Sequence, residues 1–170
     1  MPRALSLRDR FRNPILIVLI AAMLSNLALA LYIQAQKEQN LELIPEALRG
    51  KCFDDAIGGG GCGAVQTSEY ATTLGMSNPH IGYVGFSSLA ILLIGLVYVS
   101  ARQQHLAPGI SAVILSGMML ASIFSLYLLY AQFFRIHYTC VYCLAVDYIV
   151  LASTAAFTWL SWPTLNLKRL

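Results

Sequence analysis

The chain has 170 residues, of which 58% are hydrophobic and only 11% charged, with a formal net charge of +3. A soluble domain carries about 25% charged residues, so this composition excludes an ordinary water-soluble fold, and the few basic residues form no patch suited to nucleic acid. Four apolar runs reach the roughly 20 residues needed to cross a bilayer: 14–34, 80–101, 109–134 and 140–162. The expected architecture is all-α: one integral membrane bundle of four transmembrane helices over 1–170, with no room for a second domain.

The distribution of Lys and Arg orients such a bundle. Arg3, Arg8, Arg10 and Arg12 precede the first run, Arg102 lies between the second and third, and Lys168 and Arg169 follow the fourth. The opposite side holds Lys37, Arg49, Lys51 and Arg135, diluted by Glu38, Glu42, Glu46, Asp54, Asp55 and Glu69. Both termini are expected in the cytoplasm, at a cell inner membrane. The long connection over 35–78 then faces a periplasm or lumen, where disulfides persist.

In the first run, Ser25 and Asn26 are the strongly polar interior residues and read as helix-packing contacts. The Arg-rich start and Ala28-Leu29-Ala30 also resemble a signal peptide with a cleavage site, although the run continues through Leu31, Tyr32 and Ile33. The outer connection carries Cys52, then Gly58-Gly59-Gly60-Gly61, then Cys62. The glycine run supplies flexible backbone between the two cysteines. Beyond it, Thr67 to Gly75 predicts a short helix of two turns, with Thr67 or Ser68 as N-cap and Gly75 at its end. With Val65, Tyr70, Leu74 and Met76 it suits a lid over the bundle, or an ordinary interfacial helix.

Pro79 suits the first turn of the second span, and His105 in the following short connection reads as a solvated residue. Gly117, Ala121 and Ser125 recur every four residues in the third span and predict close packing. A short turn over 135–139 makes the third and fourth spans antiparallel neighbours. Cys140-Val-Tyr-Cys143 heads the fourth, which is interrupted only by Asp147. Trp159 and Trp162 suit an interfacial belt at its far end.

The four cysteines all fall on the outer side. If Cys140 opens a helix, Cys143 lies one turn on and within reach, and free N–H groups there favour a thiolate. Four thiolates also suit a structural zinc site, but the wide spacing of the first pair and its outward location argue against metal. Two structural disulfides are a further alternative, though a Cys-x-x-Cys bridge closes too small a loop to stabilise much by chain entropy. Two redox-active pairs exchanging with each other fit better, with electrons passing from loop to helix mouth. The chain shows no dinucleotide fingerprint and no haem-attachment motif, so a lipid-soluble acceptor such as a quinone is left by elimination.

These residues resemble the vitamin K epoxide reductase family over nearly the whole chain. The resemblance is carried by Cys52 and Cys62, Cys62-Gly-Ala-Val-Gln-Thr-Ser68-Glu-Tyr, Ser77-Asn78-Pro79-His80-Ile81-Gly82, and Cys140-Val-Tyr-Cys143. The quinone-reducing DsbB enzymes place their two pairs in the opposite order. The resemblance implies that Cys52 and Cys62 take electrons from a thioredoxin-fold, DsbA-like partner, that Cys140 exchanges with a loop cysteine, and that Cys143 reduces the quinone. Family analogy favours Cys62 bonded to Cys140 in the intermediate. It also implies Ser68 and Asn78 beside a quinone of ubiquinone, menaquinone or vitamin K type. Animal members carry a tyrosine where Asp147 stands here, and an aspartate inside a span is a functional candidate by default; Asp147 is expected either to donate to the quinone or relay its protons, or to hydrogen-bond a neighbouring helix. Many bacterial members carry a fused thioredoxin-like domain, whereas this chain ends at Leu170, so a separate partner protein is expected. Reduction of vitamin K epoxide itself is the alternative activity, and a non-enzymatic scaffold the alternative class.

Overall fold

The computed structural model describes residues 7–37, 61–102 and 107–166. Cys52, most of the glycine run and His105 lie outside the described residues, as do Arg3, Lys168 and Arg169. Helix α1 spans Leu7–Lys37, α2 Gly61–Thr67, α3 Asn78–Arg102, α4 Ala107–Tyr130 and α5 Val141–Asn166; two-residue strands β1 (Thr72–Thr73) and β2 (Met76–Ser77) precede α3. Four stretches are long and apolar enough to cross a membrane: Asn13–Gln36, Asn78–Ser100, Pro108–Ile136 and Val141–Trp162.

The four long helices form a ring in which α1 packs on α3 and α5, and α4 packs on α3 and α5. On α1 the buried positions are Leu16, Leu19, Met23, Asn26, Ala30 and Ile33. Their alternating three- and four-residue spacing keeps one stripe facing the bundle. Phe86, Leu89, Leu93 and Leu96 of α3, Ile114 and Met118 of α4, and Val150, Phe157 and Leu160 of α5 complete the core. Ile17, Val18, Ile91, Leu120 and Ile123 point outward. Apolar side chains on both faces suit a bundle whose surroundings are themselves hydrocarbon. Helix α1 runs unbroken through Ala28-Leu29-Ala30 and contributes Ala30 to the core.

Polar side chains inside the ring are mostly paired. The Ser122 hydroxyl donates to Thr154 Oγ1 at 2.8 Å, and Thr154 donates to the Val150 carbonyl at 2.9 Å. Bonds of this type across membrane helices contribute about 0.6 kcal/mol each. Asn26 differs: it is 0% exposed, and neither its Oδ1 nor its Nδ2 has a partner.

The short outer helix is present but lies upstream of the predicted position. Helix α2 ends at Thr67, and 67–75 instead forms a 3-10 turn over Glu69–Ala71 followed by the β1–β2 hairpin. Two physical causes favour this outcome. The Thr67 hydroxyl turns back to the Gly63 carbonyl at 2.9 Å, so it finishes a helix rather than capping one. Thr72-Thr73 then supplies β-branched residues, and Leu74 (φ 54°) with Gly75 (φ 78°) makes the doubly left-handed turn that joins antiparallel strands. Asn78 fastens the hairpin to α3: its Oδ1 accepts from the Thr73 hydroxyl at 2.8 Å, and its Nδ2 donates to the Tyr70 carbonyl at 2.6 Å. Ser77 donates to Gln34 of α1 at 2.7 Å and ties the same hairpin across the bundle end.

Candidate active site

The fourth span begins where a wide turn delivers it. Helix α4 loosens into a π-helical turn over Ala131–Ile136, and His137 adopts a left-handed conformation that reverses the chain. Such π turns recur at functional sites. The turn buries Gln132, whose Oε1 accepts the Cys140 backbone N–H at 3.0 Å. Cys140 is 0% exposed and sits immediately before α5. Its carbonyl accepts from the Leu144 N–H at 2.9 Å and its sulfur from the Cys143 N–H at 3.3 Å. Cys140 is thus the N-cap of α5, with a sulfur in place of the usual oxygen acceptor. A thiolate there gains from the free N–H groups of the first turn.

Helix α2 brings the third sulfur. Cys62 Sγ lies 3.0 Å from Cys140 Sγ, and Cys143 Sγ lies 2.6 Å from Cys140 Sγ on the other side. Cys140 therefore stands between two possible sulfur partners separated by 78 and 3 residues of sequence. Exchange of a disulfide needs this arrangement: an attacking sulfur, a central sulfur and a leaving sulfur. Gly61 makes the approach possible, because a Cβ there would run into the Thr139 carbonyl oxygen and lie 3.0 Å from its carbon. Tyr32 and Tyr142, with ring centroids 5.2 Å apart, and Ile136 pack over this sulfur cluster. On the next turn of α2 from Cys62, the Gln66 Nε2 donates to Cys143 Sγ at 3.6 Å.

Cys143 also faces a cavity of about 580 Å³ enclosed by all four long helices and roofed by α2 and the hairpin. Ala30, Phe86, Leu89, Phe124, Leu128 and Val150 make its wall mainly apolar. Gln66, Tyr70, Thr73, Asn78, Ser88, Ser125, Gln132 and Asp147 bring polar groups to it. That volume and that mixture suit a flat, largely apolar small molecule with a few polar atoms. Asp147 is 2% exposed, shares the cavity wall with Ser125, and has its Oδ2 unpartnered. At the mouth, Tyr70 has its phenol pushed above the ordinary value, first by desolvation and then by a hydrogen bond with Glu69. It remains a neutral O–H. A second hollow of about 570 Å³ lies along α4 and α5, lined by Met119, Thr158, Trp159 and Trp162, and holds no cysteine.

The residues singled out in the sequence are thus distributed unevenly. Cys62, Cys140 and Cys143 meet, and Asn78 and Asp147 lie on the wall beside Cys143. The Asn78 amide is engaged with the hairpin at both ends, which leaves one N–H for a ligand. Ser68 is the exception: its hydroxyl donates to the Val65 carbonyl at 2.8 Å, and the residue is not part of the cavity wall. It closes α2 rather than lining the pocket. Gln66, Gln132 and Gly61 were not anticipated. Gln66 stands four residues after Cys62, the spacing of one helical face, a signal hidden by expecting the helix six residues too late.

A family model described as Vitamin K epoxide reductase family matches residues 14–159. No curated protein and no solved structure was found to match the chain.

Proposed function

Because the chain belongs to the vitamin K epoxide reductase family, and is thereby a membrane oxidoreductase of the disulfide and quinone type, we propose that it reoxidises a thioredoxin-fold partner and sends the electrons through two cysteine pairs to a quinone. One observation supports this above the others: Cys140 lies between Cys62 and Cys143, and Cys143 alone of the three faces the apolar cavity.

The partner's dithiol reduces a Cys52–Cys62 disulfide, and its own sulfurs become a disulfide. The Cys62 thiolate then attacks Cys140 within the Cys140–Cys143 disulfide. The Cys62–Cys140 bond forms, the Cys140–Cys143 bond breaks, and the electron pair leaves on Cys143. Cys52 resolves Cys62–Cys140, which regenerates Cys52–Cys62 and leaves Cys140 and Cys143 as a dithiol. A quinone in the cavity supplies a two-electron, two-proton acceptor, and Cys140–Cys143 returns to the disulfide. Overall, partner dithiol and quinone become partner disulfide and hydroquinone. Asp147 stands on the wall beside Ser125 as the proton donor, and the remaining Asn78 N–H serves a quinone oxygen. The charge distribution supports cytoplasmic termini and cysteines on the periplasmic or lumenal side.

The test is turnover of a reduced thioredoxin-fold substrate with and without added ubiquinone or menaquinone. Turnover should require quinone and fall at least a hundredfold in Cys143→Ala. Full turnover in that variant would overturn the redox reading. Disulfide trapping in the Cys52→Ser and Cys143→Ser variants, followed by peptide mapping, should recover Cys62 joined to Cys140.

A further inference from the structure

We propose that Gln66 is a catalytic residue of the exchange step: its amide N–H holds the negative charge that arrives on Cys143 when Cys62 attacks Cys140. This rests on the function proposed above and assigns a role within it. Helix α2 carries Cys62 and Gln66 one turn apart on one face. Cys62 reaches Cys140, the sulfur under attack, at 3.0 Å, while Gln66 Nε2 reaches Cys143, the sulfur that must leave, at 3.6 Å. One seven-residue helix thus presents both the nucleophile and a donor to the leaving group.

In this step the Cys62–Cys140 bond forms, the Cys140–Cys143 bond breaks, and the negative charge passes from Cys62 to Cys143 without any proton moving. Cys143 is half-buried where α2 covers it, and Asp147 lies one turn further along α5. A buried thiolate without a donor is costly. The first-turn N–H of Cys143 is directed to Cys140 rather than to its own sulfur. Gln66 meets that need.

The far end of the amide argues against a role in packing alone. Gln66 is buried beside the cavity, yet its Oε1 has no partner. A side chain retained only to stabilise α2 would leave no buried acceptor unmet. This one directs its nitrogen to the reacting sulfur while its oxygen stays buried and unpaired.

The experiment uses the full-length chain in lipid or detergent with Cys52→Ser and Cys62–Cys140 formed, so that Cys143 is the single free thiol of the four cysteines. Alkylation of Cys143 by a neutral reagent at fixed neutral pH reads its thiolate fraction directly. Gln66→Met, which keeps length and removes the donor, should slow alkylation about tenfold; Gln66→Glu, which replaces the donor with a like charge, should slow it further. The thiolate ultraviolet band should decline in the same order. Rates within twofold of the parent in both variants would overturn the proposal, and so would failure of both to form Cys62–Cys140, since that would make Gln66 a folding residue. Turnover of Cys143→Ala is measured beside them, and its retention would remove the redox reading itself rather than the role of Gln66.

Discussion

Gly61→Ala should disable the sulfur relay without unfolding the bundle. The added Cβ would overlap the Thr139 carbonyl oxygen and lie 3.0 and 3.2 Å from the Thr139 carbon and nitrogen. Ordinary contacts begin near 3.5 Å, so one partner must retreat by roughly 1 Å. The Thr139 side is anchored by the Gln132–Cys140 bond and continues into α5, whereas α2 is a seven-residue helix at the bundle end. Helix α2 therefore moves and takes Cys62 with it. The Cys62–Cys140 separation grows from 3.0 Å to about 4 Å, a misplacement that costs up to about 10²-fold in rate. The assay is rapid-quench formation of Cys62–Cys140 in the Cys52→Ser background, read by alkylation and peptide mapping. Helical content and unfolding midpoint should match the parent, because no residue of the main core belongs to α2. A rate within threefold of the parent would refute the steric argument.

Substitutions at three further positions probe separate parts of the molecule. Asp147→Asn and Asp147→Ala should both reduce quinone turnover, with Ala the lower because Asn keeps a hydrogen-bonding group on the wall; equal, near-parental turnover in both would remove Asp147 from the mechanism. Gln132→Leu strands the buried Cys140 N–H and should destabilise the protein by about 1–3 kcal/mol in denaturant unfolding within detergent micelles; an unchanged midpoint would contradict this. Asn26→Leu removes a fully buried amide with both ends unpartnered and should stabilise the bundle by about 1 kcal/mol or more; a loss of stability would show that Asn26 has a use at that position.

The main architecture was readable because hydrocarbon imposes a simple rule. A run such as 109–134 can satisfy its backbone in a bilayer only as a helix, so the spans follow from length and apolarity alone. The proximity of Cys140 and Cys143 was readable for a related reason: Cys140-Val-Tyr-Cys143 at the head of a span has its spacing fixed by one helical turn. The outer cover was harder. Thr67 and Gly75 satisfy a helix-capping pattern and a hairpin pattern equally well, and contacts with α1 and α3 through Ser77 and Asn78 decide between them. Gln66 and Gln132 were invisible for a different reason. Each acts through a partner 77 or 8 residues away, and a neutral amide in an apolar stretch carries no motif. Ser68 shows the converse: a residue of the right type at the right spacing whose hydroxyl is spent on its own backbone.

The sulfur that caps the start of α5 gives the protein a mechanical consequence. An N-cap acceptor orders the first turn of its helix, and a thiolate accepts an N–H far better than a disulfide sulfur does. The first turn of α5 should therefore be firmest with Cys140 reduced and loosest with Cys140 in a disulfide, and amide exchange at Cys143 would read the difference. That turn also supplies Cys143 to the cavity wall, and the turn stacked on it supplies Val146 and Asp147. The firmness of the pocket is thus tied to whether the protein holds electrons, and linkage makes the tie reciprocal. A molecule that fits the firm pocket should in turn raise the reduction potential of Cys140 and Cys143. The protein would then fill its pocket most readily when it has electrons to give away.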